Sequence, residues 1–309
     1  MANPGLGNKF AKSYKPTLGI TQPSQPSNDK TTIWLDSADG DFDTAGNWDN
    51  GVPASGDTMI FNQGSVDLDT NLAQSGITVQ DFLVHEDYTG NLGDGTNPLQ
   101  ISAELVKINK RTGFVHIKGE FIRGDILDTS GDTNAVKIES TSTGNVTDLY
   151  AYASRSDILI GTSNRLVNCY VVPKPGRTVE LDINTSASHD QTKLHVDKGG
   201  FVTSAKDTAT VDCDGGVLTL SGSIDTTALT LGQGTTINQS DGTHTLLVNW
   251  GGTFSMHQNE DTAATITDAT LRGGKTILRN NLAAAIVTNP IEYWDGELWT
   301  DVGAVETVT

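Results

Sequence analysis

Residues 194–252 read LHVDKGGFVTSAKDTATVDCDGGVLTLSGSIDTTALTLGQGTTINQSDGTHTLLVNWGG. Four times an apolar-x-apolar strand leads into a glycine turn, and TLRGG at 270–274 makes a fifth. The closing glycines are Gly200, Gly216, Gly234, Gly252 and Gly274, at intervals of 16, 18, 18 and 22 residues. Self-similarity at a period of about 20 residues marks a repeat architecture, in which each unit buries its apolar face against the next. Glycine enters the left-handed turn conformation at little steric cost, so its recurrence sets where each strand ends. Side chains alternate across a strand. The expected inward positions are therefore Leu194 and Val196, Val211 and Cys213, Leu229 and Leu231, and Leu246 and Val248. Cys213 falls in line with Val196, Leu231 and Val248 and reads as a small core filler.

Working outward, earlier pairs fit the same scheme more loosely: Leu99 and Ile101, Val106 and Ile108, Val115 and Ile117, Val136 and Ile138, Ile158 and Ile160, Val179 and Leu181. Hydrophobic residues make up 36% of the 309, and there are 33 glycines. That balance suits a thin, elongated core in which nearly every second residue faces water. Thr, Ser, Asn, Asp and Gly fill the intervals between short runs of Val, Ile and Leu, the vocabulary of strands and turns. The prediction is an all-β chain folded as a right-handed parallel β-helix, a solenoid, with an extended N-terminal arm. β-Sandwich domains are the alternative, and would show hairpin turns with clean alternation every 8–12 residues or so.

The net charge is −18 and the pI about 4.5. Phosphate contacts need clustered Lys and Arg, so nucleic acid is not an expected partner. No apolar run approaches the roughly 18 residues of a membrane span, and none is expected. The opening MANPGLGNKFAKSYKPTLGI has no apolar core of a secretion signal, which predicts a protein made in the cytoplasm that stays there or leaves by lysis or a leaderless route. Cys169 and Cys213 are too few for a disulfide framework and are expected reduced.

Residues 1–30 differ from the rest. They hold four of the nine prolines and four lysines against one acid, Asp29. Such a segment cannot build its own core. It is expected to be an anchoring arm that orders on a partner, with Phe10 and Tyr14 as apolar anchors and Lys9, Lys12 and Lys15 set against an acidic surface. Residues 31–64 follow as an N-terminal cap, 65–285 as the β-helix, and 286–309 as a C-terminal cap or inter-subunit strand carrying Tyr293, Trp294 and Trp299.

Within 31–64, Trp34, Gly40, Phe42, Asn47-Trp48, Gly51, Val52-Pro53 and Gly56-Asp57 precede an Ile60-Phe61 strand. This pattern resembles the segment that opens many β-solenoids in autotransporter-like surface proteins and in phage-encoded virion proteins. It covers about a tenth of the chain. The resemblance implies that Trp34, Trp48 and Pro53 cover the otherwise unpaired end of the stack, and that the protein assembles as a homotrimer.

Catalytic and metal signatures are weak. Asp36, Asp39, Asp41 and Asp43 lie at or near alternate positions in DSADGDFD, from which a structural calcium site would be built. The sixth position counted from Asp39 is Thr44 rather than the Gly of an EF-hand, and a solvated Asx-rich turn is the favoured reading. GGKT at 273–276 echoes a phosphate loop, but Ala269 stands where its first glycine is required. The six histidines are scattered without zinc-ligand spacing, and no cofactor is expected. Cleavage of polysaccharide by a carboxylate pair is the serious enzymatic alternative. Aromatics at 6%, and only 20 Lys and Arg, count against it.

The function expected from these features is that of a non-enzymatic phage virion structural protein, a capsid decoration or head-fibre protein bound to the major capsid protein or another virion protein. A receptor-binding tailspike with glycan-degrading activity is the second reading, and a bacterial surface adhesin the third.

Overall fold

A computed structural model describes residues 30–35, 39–93, 96–128, 136–141, 144–153, 158–160, 166–183, 191–257, 264–279 and 287–300. The expected arm residues Lys9, Phe10, Lys12, Tyr14 and Lys15, and Asp36 of the acidic turn, lie outside the described residues. The chain is a parallel β-solenoid. A 13-stranded sheet runs from Thr31–Ile33 to Glu292–Tyr293, and an 11-stranded sheet from Leu99–Gln100 to Glu297–Thr300. Strands alternate between the two sheets along most of the chain, and every pairing between named strands is parallel. That arrangement replaces the β-sandwich alternative, whose hairpins would pair antiparallel. Thirteen strands at about 4.8 Å each make a stack on the order of 55 Å long. Both segments expected as caps contribute strands: Thr31–Ile33 and Thr58–Phe61 open the longer sheet, and Glu292–Tyr293 and Glu297–Thr300 add the last rung described in each.

One continuous hydrophobic cluster runs up the axis from Trp34 to Ile291. Its columns are set by strand register. Leu149, Cys169, Leu194, Val211, Leu229, Leu247 and Ala269 stack in one line, and Ala151, Val171, Val196, Cys213, Leu231, Asn249 and Leu271 in the next. The expected inward pair Leu246 and Val248 is therefore corrected to Leu247 and Asn249, which are fully buried while their neighbours are only half-buried. Three consecutive apolar residues, Leu246 to Val248, fit either phase of a period-two pattern. The phase is chosen by Asn249, whose carboxamide belongs inside the corner. Its Nδ2 donates to the carbonyls of Gly252 and Lys275, both at 3.2 Å, and to Thr276 Oγ1 at 3.0 Å. Cys213 occupies the same column two rungs earlier, where its thiol contacts the Gly216 carbonyl at 3.5 Å.

The glycine period becomes a physical column. Thr235, Thr253, Lys275 and Glu297 each donate a backbone N–H, at 2.8 Å, to the carbonyl of Gly216, Gly234, Gly252 and Gly274 respectively. The coils touch backbone to backbone here. A Cβ built on Gly234 would lie 2.9 Å from the Gly216 carbonyl oxygen and collide with Cys213 Sγ; one on Gly252 would lie 2.6 Å from the Gly234 oxygen. Gly274 and Gly296 also have φ of +72° and +102°. The column extends past the sequence pattern to Gly296.

A second buried feature is polar. His244 continues the column of Gln191, Thr208 and Thr226. The Ser240 backbone N–H and hydroxyl both donate to Asn238 Oδ1, which turns Asn238 Nδ2 toward His244 Nε2 at 2.9 Å. An amide N–H can only donate, so Nε2 accepts and Nδ1 carries the proton toward Thr226 Oγ1, 2.9 Å away. The network holds the imidazole neutral, and burial brings its pKa from 6.5 down to about 4.

Two outcomes follow from these columns. Gly234→Ala should cost about 1–3 kcal/mol of stability in denaturant titration, since the backbone above cannot retreat, whereas Gly46→Ala, with open space around its Cβ, should be near neutral. Because the folded His244 pKa lies below the unfolded value, its contribution is complete above pH 6.5 and is lost as pH falls toward 4. The loss is about 3 kcal/mol. Denaturation midpoints measured across that window should fall more steeply for the wild type than for His244→Gln.

Candidate functional site

The N-terminal end is closed by aromatics. Trp34, Phe42 and Trp48 are buried, with Trp34 only 1% exposed. Trp34 and Trp48 meet edge to face at 4.9 Å, Phe42 packs on Trp48 at 5.4 Å, and Phe61 lies under both tryptophans at about 6 Å. Each indole is satisfied: Trp48 Nε1–H donates to the Phe42 carbonyl and Trp34 Nε1–H to that of Val66. Pro53 is also buried. Asp57, also buried, accepts from the backbone N–H of Lys30 and of Ala54.

The acidic turn is held by amides. Asn47 Nδ2 donates to Asp39 Oδ1 at 2.6 Å, which together with the Asp41 backbone N–H keeps that carboxyl below the usual carboxylate range. Asn71 Nδ2 donates to both oxygens of Asp41, and Gln74 Nε2 to Asp43 Oδ1. The three carboxylates thus each have their own amide donor. Among the described residues, the group whose ligand atoms converge within 4.8 Å lies elsewhere, at His195, Asp197 and Asp214. His195 Nε2 and Asp197 Oδ1 are 3.1 Å apart.

That group belongs to an outward-facing corner that reasoning from sequence did not single out. Where strands of the longer sheet end, Asp197, Asp214, Gly232, Trp250, Arg272 and Trp294 occupy successive rungs. Trp250 is 54% exposed and Trp294 66%. The Arg272 guanidinium lies between their rings, 4.8 Å from the first centroid and 5.4 Å from the second. Cation–π contacts of this kind are worth about 0.5–1 kcal/mol each at exposed sites and fix the side-chain orientations. On the other side of Trp250, toward the N-terminal rungs, an open cleft of about 710 Å³ is lined by Asp214, Gly232, Gln233, Trp250 and Gly251. A signal was present: from Asp214 to Trp294 these residues recur at 18, 18, 22 and 22, in step with the glycines two positions later.

Lower on the same sheet, Tyr150 and Tyr170 stack at 4.7 Å, and Arg123 lies over Tyr150. Arg123 Nε donates to Asp125, which raises the guanidinium pKa further. Lys193 pairs with Asp212 at 3.2 Å. Reactive groups inside the coil serve packing: burial pushes the Cys169 thiol up to about 12 and raises that of Cys213.

Trp48→Ala should cost about 3–5 kcal/mol. Because each rung contacts only its neighbours, hydrogen exchange should show the loss first in Thr31–Ile33 and Thr58–Phe61, with the rungs beyond Gln191 little changed. Comparison with family models, with curated proteins and with solved structures returns no match to this chain.

Proposed function

We propose that the chain is a non-enzymatic structural rod of a phage particle, a capsid decoration or head-fibre protein attached through residues 1–30. The observation that carries this reading is the inequality of the two ends of the stack. The first rungs are sealed by Trp34, Phe42, Trp48 and Phe61, and the chain enters them at Lys30, directly after the proline-rich basic segment. The last described rung presents Tyr293, Trp294 and Trp299 outward. A closed end next to a cationic tether suits anchoring on an acidic lattice. An exposed aromatic end suits presentation away from it. The placement of Cys169, Cys213 and His244 within the core, each bonded or packed there, supports a scaffold role. In this reading the protein occupies the virion as a homotrimer in contact with the major capsid protein.

The test compares full-length protein with a form lacking residues 1–29, each mixed with purified undecorated capsids and sedimented. The full-length protein should co-sediment to hundreds of copies per particle, a count on the scale of a capsid lattice rather than of a tail. The truncated form should remain β-rich by circular dichroism and stay in the supernatant. Equal binding by both forms, or by neither, removes the anchoring role. Binding of both to bacterial surface polysaccharide instead would favour the receptor-binding reading.

A further inference from the structure

We propose that the corner cleft lined by Asp214, Gln233 and Trp250 binds one neutral pyranose unit of a glycan. Three observations lead there, and none depends on whether the rod sits on a head or a tail.

The first is spacing. Asp214, Gly232 and Trp250 stand on consecutive rungs at about 4.8 Å per step, so the carboxylate and the indole rise from backbone positions about 10 Å apart. Gly232, the rung between, contributes no side chain. A Cβ there would run into the Asp214 carboxylate, with Cγ only 3.2 Å away. The space that a side chain would fill is therefore taken by the Asp214 carboxylate, which reaches over Gly232 and brings its acceptor oxygens to the cleft beside the indole.

The second is the state of the indole. One face of Trp250 is covered by Arg272, itself backed by Trp294. The ring is therefore held in place before any ligand arrives, and the cleft lies along its other side. Holding a platform in its bound orientation removes part of the ordering cost of association. The apolar C–H face of a pyranose stacks on such a ring.

The third is the polar lining. Asp214 offers acceptor oxygens only, which suit hydroxyl donors, and Gln233 offers both a donor and an acceptor. A polyhydroxylated ring matches that set. Asp197 lies one rung below Asp214, in a chain of net charge −18. That field disfavours uronate, sulfated or phosphorylated ligands and selects neutral sugars.

Saturation-transfer-difference NMR on the full-length protein provides the test, with the methyl glycosides of glucose, galactose, mannose and N-acetylglucosamine as separate probes and galacturonate as the charged control. At least one neutral glycoside should receive saturation, strongest at its ring C–H protons, with a Kd on the order of 1 mM. Trp250→Ala should weaken binding at least tenfold, and Gly232→Val, whose side chain displaces the Asp214 carboxylate while leaving the indole, should do the same. Trp299→Ala, an exposed tryptophan on the other sheet, should leave binding unchanged. Circular dichroism confirms that each variant is folded. The proposal fails if no neutral glycoside binds, if Trp250→Ala and Gly232→Val bind like wild type, or if galacturonate binds as well as the neutral probes. Capsid co-sedimentation reads the anchoring role separately, so either result can stand while the other falls.

Discussion

The structure depends on in-register parallel pairing of successive coils. Strands within the stack satisfy their backbone N–H and C=O groups with the coils above and below, so paired residues sit over their counterparts one coil earlier, with a register shift at Ile108/Asn109. Variation in coil length is absorbed in the connections. This constraint turns sequence positions into columns, and a column tolerates only what its place in the cross-section allows. Inside, it is mostly apolar, with polar side chains such as His244 and Asn249 bonded within the stack. At the tight corner, where the Gly216, Gly234, Gly252 and Gly274 carbonyls accept from the following coil, it must lack a side chain. On the outside it is free, and there chemistry can accumulate.

The inside is less uniform than a hydrophobic core need be. His244, Asn238, Thr226 and Ser240 form a closed set of hydrogen bonds within the stack, and Asn249 spans three partners across a corner. A buried polar group left unmatched is costly, whereas one with its partners in place selects a single alignment. A thin solenoid core, where a slip of one residue would exchange inner and outer faces, has use for such alignment marks. These residues fix which strand phase is inward where apolar runs leave it open.

The outer corner illustrates how a column becomes a site. Asp197, Asp214, Gly232, Trp250, Arg272 and Trp294 owe their proximity to stacking alone, since some of them are separated by nearly a hundred positions along the chain. The overall aromatic content of 6% says little about a surface on which the same few aromatics are brought into one line. Trp250 and Trp294 gain a fixed orientation from Arg272 between them, and on the other side the Asp214 carboxylate reaches over Gly232 into the cleft. At the opposite end, Trp34 and Trp48 are spent on closure and hidden from solvent.

The sequence by itself determined the fold class and the repeat. The glycine intervals and apolar-x-apolar strands are short-range signals, and short-range sterics and burial suffice to impose them on any chain that forms a solenoid. The resemblance of the opening segment to those of other β-solenoids leads to the expectation that Trp34, Trp48 and Pro53 cover the end of the stack, and all three side chains are buried. What only the tertiary structure decided was phase and neighbourhood. Leu246-Leu247-Val248 reads equally well in either phase, and the inward choice of Leu247 and Asn249 rests on hydrogen bonds to Gly252, Lys275 and Thr276 in the corner and on the next coil. The Trp250–Arg272–Trp294 ladder carried the right spacing but no local pattern, because its partners face one another only after the coils are stacked and their register is set by backbone pairing.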